Sequence, residues 1–262
     1  MILSFVVSLL VGLLVGLISS MLGLGGGILI VPLLTLVFHL PHNQAIATSL
    51  MTIALITALN TLRFWRKRMI NFKMVLTIVA FSAFSSILGG YLATVLDERL
   101  LLFIFILFVL YVLAQTLFLR TKEASPNGTL SYWFWGATIG ISSGLISGTT
   151  GVGGGAIITP LLFKSRVEKQ ERVVPITNAV MLINAFFALI PLAWDTAEKS
   201  SWVMVGLIHV DLAFLVFLGA IPASLLGTHF QDKLPLKIKK ILISLILLVI
   251  LIRMALKFFS GS

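Results

Sequence analysis

Ser20-Met-Leu-Gly-Leu-Gly-Gly-Gly27, followed by Ile-Leu-Ile-Val-Pro32-Leu-Leu, occurs a second time in the chain. The second copy is Gly148-Thr-Thr-Gly-Val-Gly-Gly-Gly155, followed by Ala-Ile-Ile-Thr-Pro160-Leu-Leu. Equivalent residues are 128 apart: Gly12 and Gly16 recur as Gly140 and Gly144, and Gly23, Gly25, Gly26 and Gly27 as Gly151, Gly153, Gly154 and Gly155. Further on, Ile70, Ser86 and Gly89 match Ile208, Ser224 and Gly227 at a spacing of 138. A repeat of this length makes each half one structural unit. Residues 1–119 form the first repeat, 120–130 a linker and 131–262 the second repeat.

Three adjacent glycines in an apolar run disfavour a helix by about 1 kcal/mol each relative to alanine. They break it and open the next one, whose first N–H groups have no partner within the helix. Those donors, with the positive end of the helix dipole, bind an anion without any charged side chain. Paired glycine-interrupted segments at matching positions of two halves mark the binding site of many transporters. Gly23, Gly25, Gly26, Gly27, Gly151, Gly153, Gly154 and Gly155 are therefore the first site candidates, facing one another across a pseudo-two-fold axis. Tight helix packing is the competing reading. It fits Gly12-x-x-x-Gly16 and Gly140-x-x-x-Gly144 better, because small residues four apart form a packing face.

The surroundings of these motifs are those of a membrane protein. Only 11% of the 262 residues are charged, 59% are hydrophobic and the mean hydropathy is +1.12. Soluble domains carry about 25% charged residues. No Asp, Glu, Lys or Arg occurs in residues 1–62 or 124–163, and no soluble surface is built from such stretches. Apolar segments lie near 2–20, 45–62, 72–95, 100–119, 131–147, 173–194, 210–230 and 240–258, with shorter pieces at 26–38 and 154–163. The expected fold is all-α and polytopic, with about 8 (roughly 7–10) membrane-crossing helices. The opening MILSFVVSLL lacks the basic region of a secretory leader and reads as the first membrane segment.

Charge gives the orientation. The 63–73 stretch carries Arg63, Arg66, Lys67, Arg68 and Lys73, whereas 195–211 carries Asp195, Glu198 and Asp211 against Lys199. The uncharged loop 39–44 contrasts with the basic 164–172. Asp97, Glu98 and Arg99 contrast with Asp232, Lys233, Lys237, Lys239 and Lys240. By the positive-inside rule, equivalent loops lie on opposite sides and the halves are inverted repeats with both chain ends outside. Three full crossings plus a glycine-broken hairpin per half satisfies this, and so do five crossings. The net charge of +10 is accounted for by headgroup contacts and orientation rather than by nucleic acid.

Neutral polar residues supply further candidates. Thr48 and Ser49 open one long apolar segment, Thr177 and Asn178 open its counterpart, and Thr149 and Thr150 lie inside the second cluster. Their hydroxyls and amides suit either an oxyanion or helix capping and interhelical bonding. Asn60, Asn184, Thr52 and Gln115 suit interhelical bonding better. His39, His42, His209 and His229 read as interfacial, and no two share a face with a carboxylate as a metal site requires. Neither a metal nor another cofactor is expected. Absence of cysteine removes thiol chemistry, and no serine near the clusters has a base beside it. The reading is a carrier rather than an enzyme.

With these motifs in view, the sequence resembles the sulfite exporter TauE/SafE family over nearly its whole length. The resemblance rests on Gly23-Leu-Gly25-Gly26-Gly27…Pro32-Leu-Leu and Gly151-Val-Gly153-Gly154-Gly155…Pro160-Leu-Leu, with Ala47-Thr48-Ser49, Asn71-Phe72-Lys73 and Leu88-Gly89-Gly90 in support. It implies an inner-membrane permease for a small sulfur-containing anion such as sulfite or a sulfonate. Carried over to this chain, the two glycine clusters with Thr48, Ser49, Thr177 and Asn178 are the binding residues. Pro175-Ile176-Thr177-Asn178 departs from the Ala-Thr-Ser of the first half. The alternatives are a carrier or channel for another small solute, and a non-transporting membrane scaffold. Oligomeric state is not encoded in any motif.

Overall fold

The computed structural model describes residues 2–22, 27–118, 132–195, 203–231 and 236–260. They form ten helices: α1 (Ile2–Leu22), α2 (Gly27–Val37), α3 (His42–Arg66), α4 (Phe72–Val95), α5 (Glu98–Phe118), α6 (Tyr132–Thr150), α7 (Gly155–Ser165), α8 (Gln170–Trp194), α9 (Val210–Gln231) and α10 (Leu236–Ser260). A two-residue ribbon, β1 (Met204–Val205) with β2 (Ile208–His209), precedes α9. Gly23, Gly25, Gly26 and the linker 120–130 lie outside the described residues. Five helices are long and apolar enough to cross a membrane, and the chain is an all-α, multi-pass membrane protein.

Helix ends follow local chemistry. Asn71 caps α4 by accepting from Lys73 N at 3.1 Å, as short polar side chains do at helix starts. The long helices run past their apolar segments into polar first turns: α3 begins at His42 and α8 at Gln170. Thr48 and Ser49 therefore sit two turns inside α3 rather than at its opening. Thr177 and Asn178 are likewise internal to α8. Polar residues that project beyond the hydrocarbon find water or partners there, so the helix need not stop where apolarity stops.

Hydrogen bonds between helix ends show which ends share a face. His42 N and Lys257 Nζ both donate to Glu98 Oε1, at 3.0 and 3.4 Å, which puts the starts of α3 and α5 with the end of α10. His209 N donates to Thr48 Oγ1 at 3.2 Å, so α9 starts at that face too. On the opposite face Glu168, just before α8, accepts from Asn71 Nδ2 at the start of α4 and from the Tyr132 hydroxyl at the start of α6. The α3–α4 and α7–α8 connections on this face carry Lys67, Arg68, Arg166 and Lys169.

Close helix pairs complete the topology. A Cβ on Gly136 would meet Thr77, one on Gly140 would meet Ile78, and one on Gly148 would meet Gly90, so α6 runs parallel to α4. Gly12 abuts Val216 and Gly16 abuts Ala220, so α1 runs parallel to α9 and starts on the face opposite to α6. Equivalent helices of the two halves thus begin on opposite faces, and α1–α9 is the pseudo-symmetric mate of α6–α4. α3 packs on α8 and α5 on α10. The glycines at 12, 16, 140 and 144 are packing glycines: an added Cβ would lie 2.2–2.5 Å from a neighbour at each.

α6 enters from the basic face, and the chain turns at Gly151–Gly154 before α7 returns to that face. The turn lies beside Ser49, seven residues beyond the start of α3 and so roughly 10 Å short of the opposite face at 1.5 Å per residue. In the second half, α6 and α7 thus form a broken hairpin that turns short of the opposite face.

Candidate functional site

Three glycines make the turn between α6 and α7. Gly151, Gly153 and Gly154 have φ of +71°, +78° and +81°, a region that L side chains with a Cβ rarely adopt. Gly154 is the N-cap of α7, and its carbonyl accepts from Ile157 N and Ile158 N at 3.0 Å each. The N–H groups of Gly155 and Ala156 precede those bonds and are the opening donors of the helix.

The two hairpins meet here. A Cβ on Gly27, the first residue of α2, would lie 2.3 Å from Val152 O. One on Gly151 would lie 2.8 Å from Ile46 Cα. Gly27 and Gly151–Gly155 are all buried. Irregular backbone survives at membrane depth only where protein or a water-lined cavity surrounds it, and here the surroundings are α3 and α8 of the core.

Ile53 of α3 and Met181 of α8 line the crossing, and they are 128 residues apart like the glycines they touch. A Cβ on Gly27 would lie 2.6 Å from Ile53 Cδ1, and one on Gly155 would lie 2.6 Å from Met181 Sδ. The repeat spacing pairs Ile53 with Met181 in the sequence, but a purely apolar pair carries no chemical signal and was not among the candidates.

The polar candidates divide. Ser49 reaches the turn and donates to Gly151 O at 2.8 Å. Thr48 turns away: its Oγ1 accepts from His209 N, and its own carbonyl accepts from Thr52 Oγ1 at 2.9 Å. Thr177 pairs with Thr159 of α7 at 3.2 Å between hydroxyls. Asn178 accepts from Asn60 Nδ2 at 3.2 Å and donates to Val174 O at 2.9 Å, bridging α8 to α3. Thr149 and Thr150 donate to carbonyls of their own helix, Leu145 O at 2.9 Å and Ile146 O at 2.6 Å. Among the described candidates, only Ser49, Gly27 and Gly151–Gly155 are brought together at the crossing.

His42 and His209 lie on the face of the molecule where α3 and α9 begin. His42 is fully buried edge-on to Phe105 at 5.5 Å. His209 Nε2 meets Gln44 Oε1 at 2.8 Å, and burial lowers its pKa while Asp211 raises it in opposition. Among the described residues, no cluster of three or more His, Cys, Asp or Glu side chains is placed to hold a metal.

The sulfite exporter TauE/SafE family matches this chain over residues 8–254. A probable membrane transporter protein of Methanocaldococcus jannaschii is 27% identical over 240 residues, covering 87% of this chain and 86% of its own. The probable membrane transporter protein YdhB of Bacillus subtilis is 27% identical over 219 residues, covering 82% and 85%. A probable membrane transporter protein of Haemophilus influenzae is 29% identical over 178 residues, covering 63% of each chain. No solved structure matches. With a match across almost the whole chain, including both glycine motifs, the chain belongs to the sulfite exporter TauE/SafE family of membrane transporters.

Proposed function

We propose that the protein is a secondary permease that moves a small sulfur-containing anion, sulfite or a sulfonate, across the cytoplasmic membrane. The observation that carries this reading is the meeting of α2 and α7 at their N-terminal ends, with Gly27 against Val152 O in the buried middle of the molecule. Two helix dipoles with their positive ends toward one point favour an anion there. Among the described residues nearest the turn, none is a carboxylate, so nothing opposes negative charge. The family is named for sulfite export, and the relatives are named as transporters without a substrate.

In this reading Gly23, Gly25, Gly26 and Gly27 face Gly151, Gly153, Gly154 and Gly155 around the anion, Ser49 holds the turn, and Thr48, Thr149, Thr177 and Asn178 shape the helices behind it. The face bearing Lys67, Arg68, Arg166 and Lys169 is cytoplasmic by the positive-inside rule. Alternating access follows from rocking one repeat against the other about the crossing.

The test is flux into proteoliposomes of sulfite, sulfoacetate, thiosulfate, sulfate, taurine and chloride. Saturable uptake of one sulfur anion, lost in Gly154→Val, supports the reading. Uptake of no anion, or equal uptake by Gly154→Val, overturns it.

A further inference from the structure

Between α4, α6 and α8, at the level of the glycine turn, lie polar atoms with no partner. Ser82, Ser86, Ser147 and Asn184 are each 0% exposed, and Ser82 Oγ, Ser86 Oγ, Ser147 Oγ and Asn184 Oδ1 make no hydrogen bond. Asn184 and Ser86 are both the fifteenth residue of their helices, of 25 and 24 residues respectively, which puts them near mid-membrane. Asn184 Nδ2 donates to Ser143 Oγ at 3.3 Å and lies 3.4 Å from where a Cβ on Gly154 would sit. Asn184 is therefore next to the N-cap of α7.

Buried hydroxyls in membrane helices ordinarily donate to a carbonyl three or four residues earlier. Their neighbours do so: Thr77, Ser85, Ser142, Thr149 and Thr150 all bond back at 2.6–3.2 Å. Ser82, Ser86 and Ser147 do not. An unmet buried polar group costs about 1–3 kcal/mol, so four on three helices packed together need a use.

The pseudo-symmetric seam is an internal control. Gly140 on Ile78 and Gly144 on Ser82 correspond to Gly12 on Val216 and Gly16 on Ala220. In the α1–α9–α3 seam Val15 stands for Ser143 and Ile56 for Asn184, whereas Ser147 has a serine mate, Ser19. Ser224, the mate of Ser86, donates to Ile221 O at 2.8 Å. At Ser82, Ser143 and Asn184 the equivalent packing is thus achieved with apolar side chains, and at Ser86 with a satisfied serine, so packing alone does not explain those polar residues.

We infer that Ser82, Ser86, Ser147 and Asn184, with the opening N–H groups of α7, bind the oxygen atoms of the transported molecule, an inference that rests on the permease reading above. The chemistry is that of neutral donors around a desolvated oxyanion. Each hydroxyl supplies one O–H. A half-turn of the Asn184 amide, whose two ends are interchangeable in shape, lets Ser143 donate to its oxygen and frees its N–H groups for the ligand. The polar set draws on both repeats, Ser82 and Ser86 of α4 from the first and Ser147 and Asn184 of α6 and α8 from the second, and places the substrate on the α4, α6 and α8 side of the crossing.

The test uses the full chain in detergent and in liposomes, with sodium sulfite and sulfoacetate as probes at matched ionic strength. Hydrogen bonds to a charged group are worth about 1.5–3 kcal/mol, so Ser86→Ala and Ser147→Ala should each weaken thermal stabilisation by sulfite roughly tenfold or more in concentration. The melting temperature without sulfite should hold or rise. Asn184→Asp, close in shape but anionic, should abolish anion binding. Ser224→Ala should change neither quantity. Wild-type sulfite affinity in Ser86→Ala and Ser147→Ala overturns this assignment and leaves the permease reading standing. No stabilisation of the wild type by either anion, together with no flux, overturns both.

Discussion

The Ser49 hydroxyl donates to the carbonyl of Gly151 at 2.8 Å, joining a full crossing of one repeat to the glycine turn of the other. The residues are 102 apart in sequence and both are buried. Ser49→Ala leaves that carbonyl without this donor, so we expect a loss of about 1 kcal/mol, the usual net worth of one hydrogen bond. Thermal unfolding in detergent measures it, and Ser49→Thr, which keeps the hydroxyl, should recover part of the loss.

Gly27 and Gly155 are equivalent in sequence but not in what lies beside them. A Cβ on Gly27 would strike backbone, Val152 O at 2.3 Å, whereas one on Gly155 would strike the flexible end of Met181 at 2.6 Å. Gly27→Ala should therefore abolish transport by pushing the hairpins apart, while Gly155→Ala should keep most of it. Met181→Ala should restore the remainder in the Gly155→Ala background and give no rescue to Gly27→Ala. Equal loss in both single variants would show that the two glycines act through something other than these contacts.

His209 gives a pH dependence whose sign is fixed. Burial lowers its pKa from 6.5, and Nδ1, where a second proton would go, has no partner. A lowered folded-state pKa means stability is fully present above pH 6.5 and declines as pH falls below it. The ribbon and the start of α9 should loosen in that acid range, read as faster amide exchange at Leu207 and His209. His209→Gln should remove the pH dependence.

The inverted arrangement predicts a labelling pattern, which the absence of native cysteine makes simple to test. Single cysteines at Asn43 and Asp195 should react from one side of the membrane, and those at Lys67 and Lys169 from the other. Reactivity of all four from one side would contradict the bond-defined faces.

Much of the fold was legible because membrane helices announce themselves. Charge-free runs such as 1–62 exclude water-facing surface, and the glycine cluster at Gly151–Gly154 stops a helix as its composition requires. Basic residues at 63–73 and 164–172 betray loop sides, and the structure puts both on one face as their charge requires. The starts of α3 and α8 were less legible. His42–Gln44 and Gln170–Arg172 are polar, and periodic apolarity cannot report a helix turn made outside the hydrocarbon.

The site divides along the same line. Sequence alone determined that two glycine-broken helices exist, that they are 128 residues apart and that they belong to inverted halves, because those properties depend on local backbone preference and on charge. Tertiary structure alone decided that Ser49 reaches Gly151 while Thr48 turns to His209, and that Asn178 bridges to Asn60 instead of the turn. It also decided that Asn184, which reads as ordinary interhelical glue, reaches Ser143 and the N-cap of α7 with its Oδ1 unpaired. The physical reason is rotation: neighbouring residues on a helix point about 100° apart, and only the packing of the other helices settles which direction faces the site.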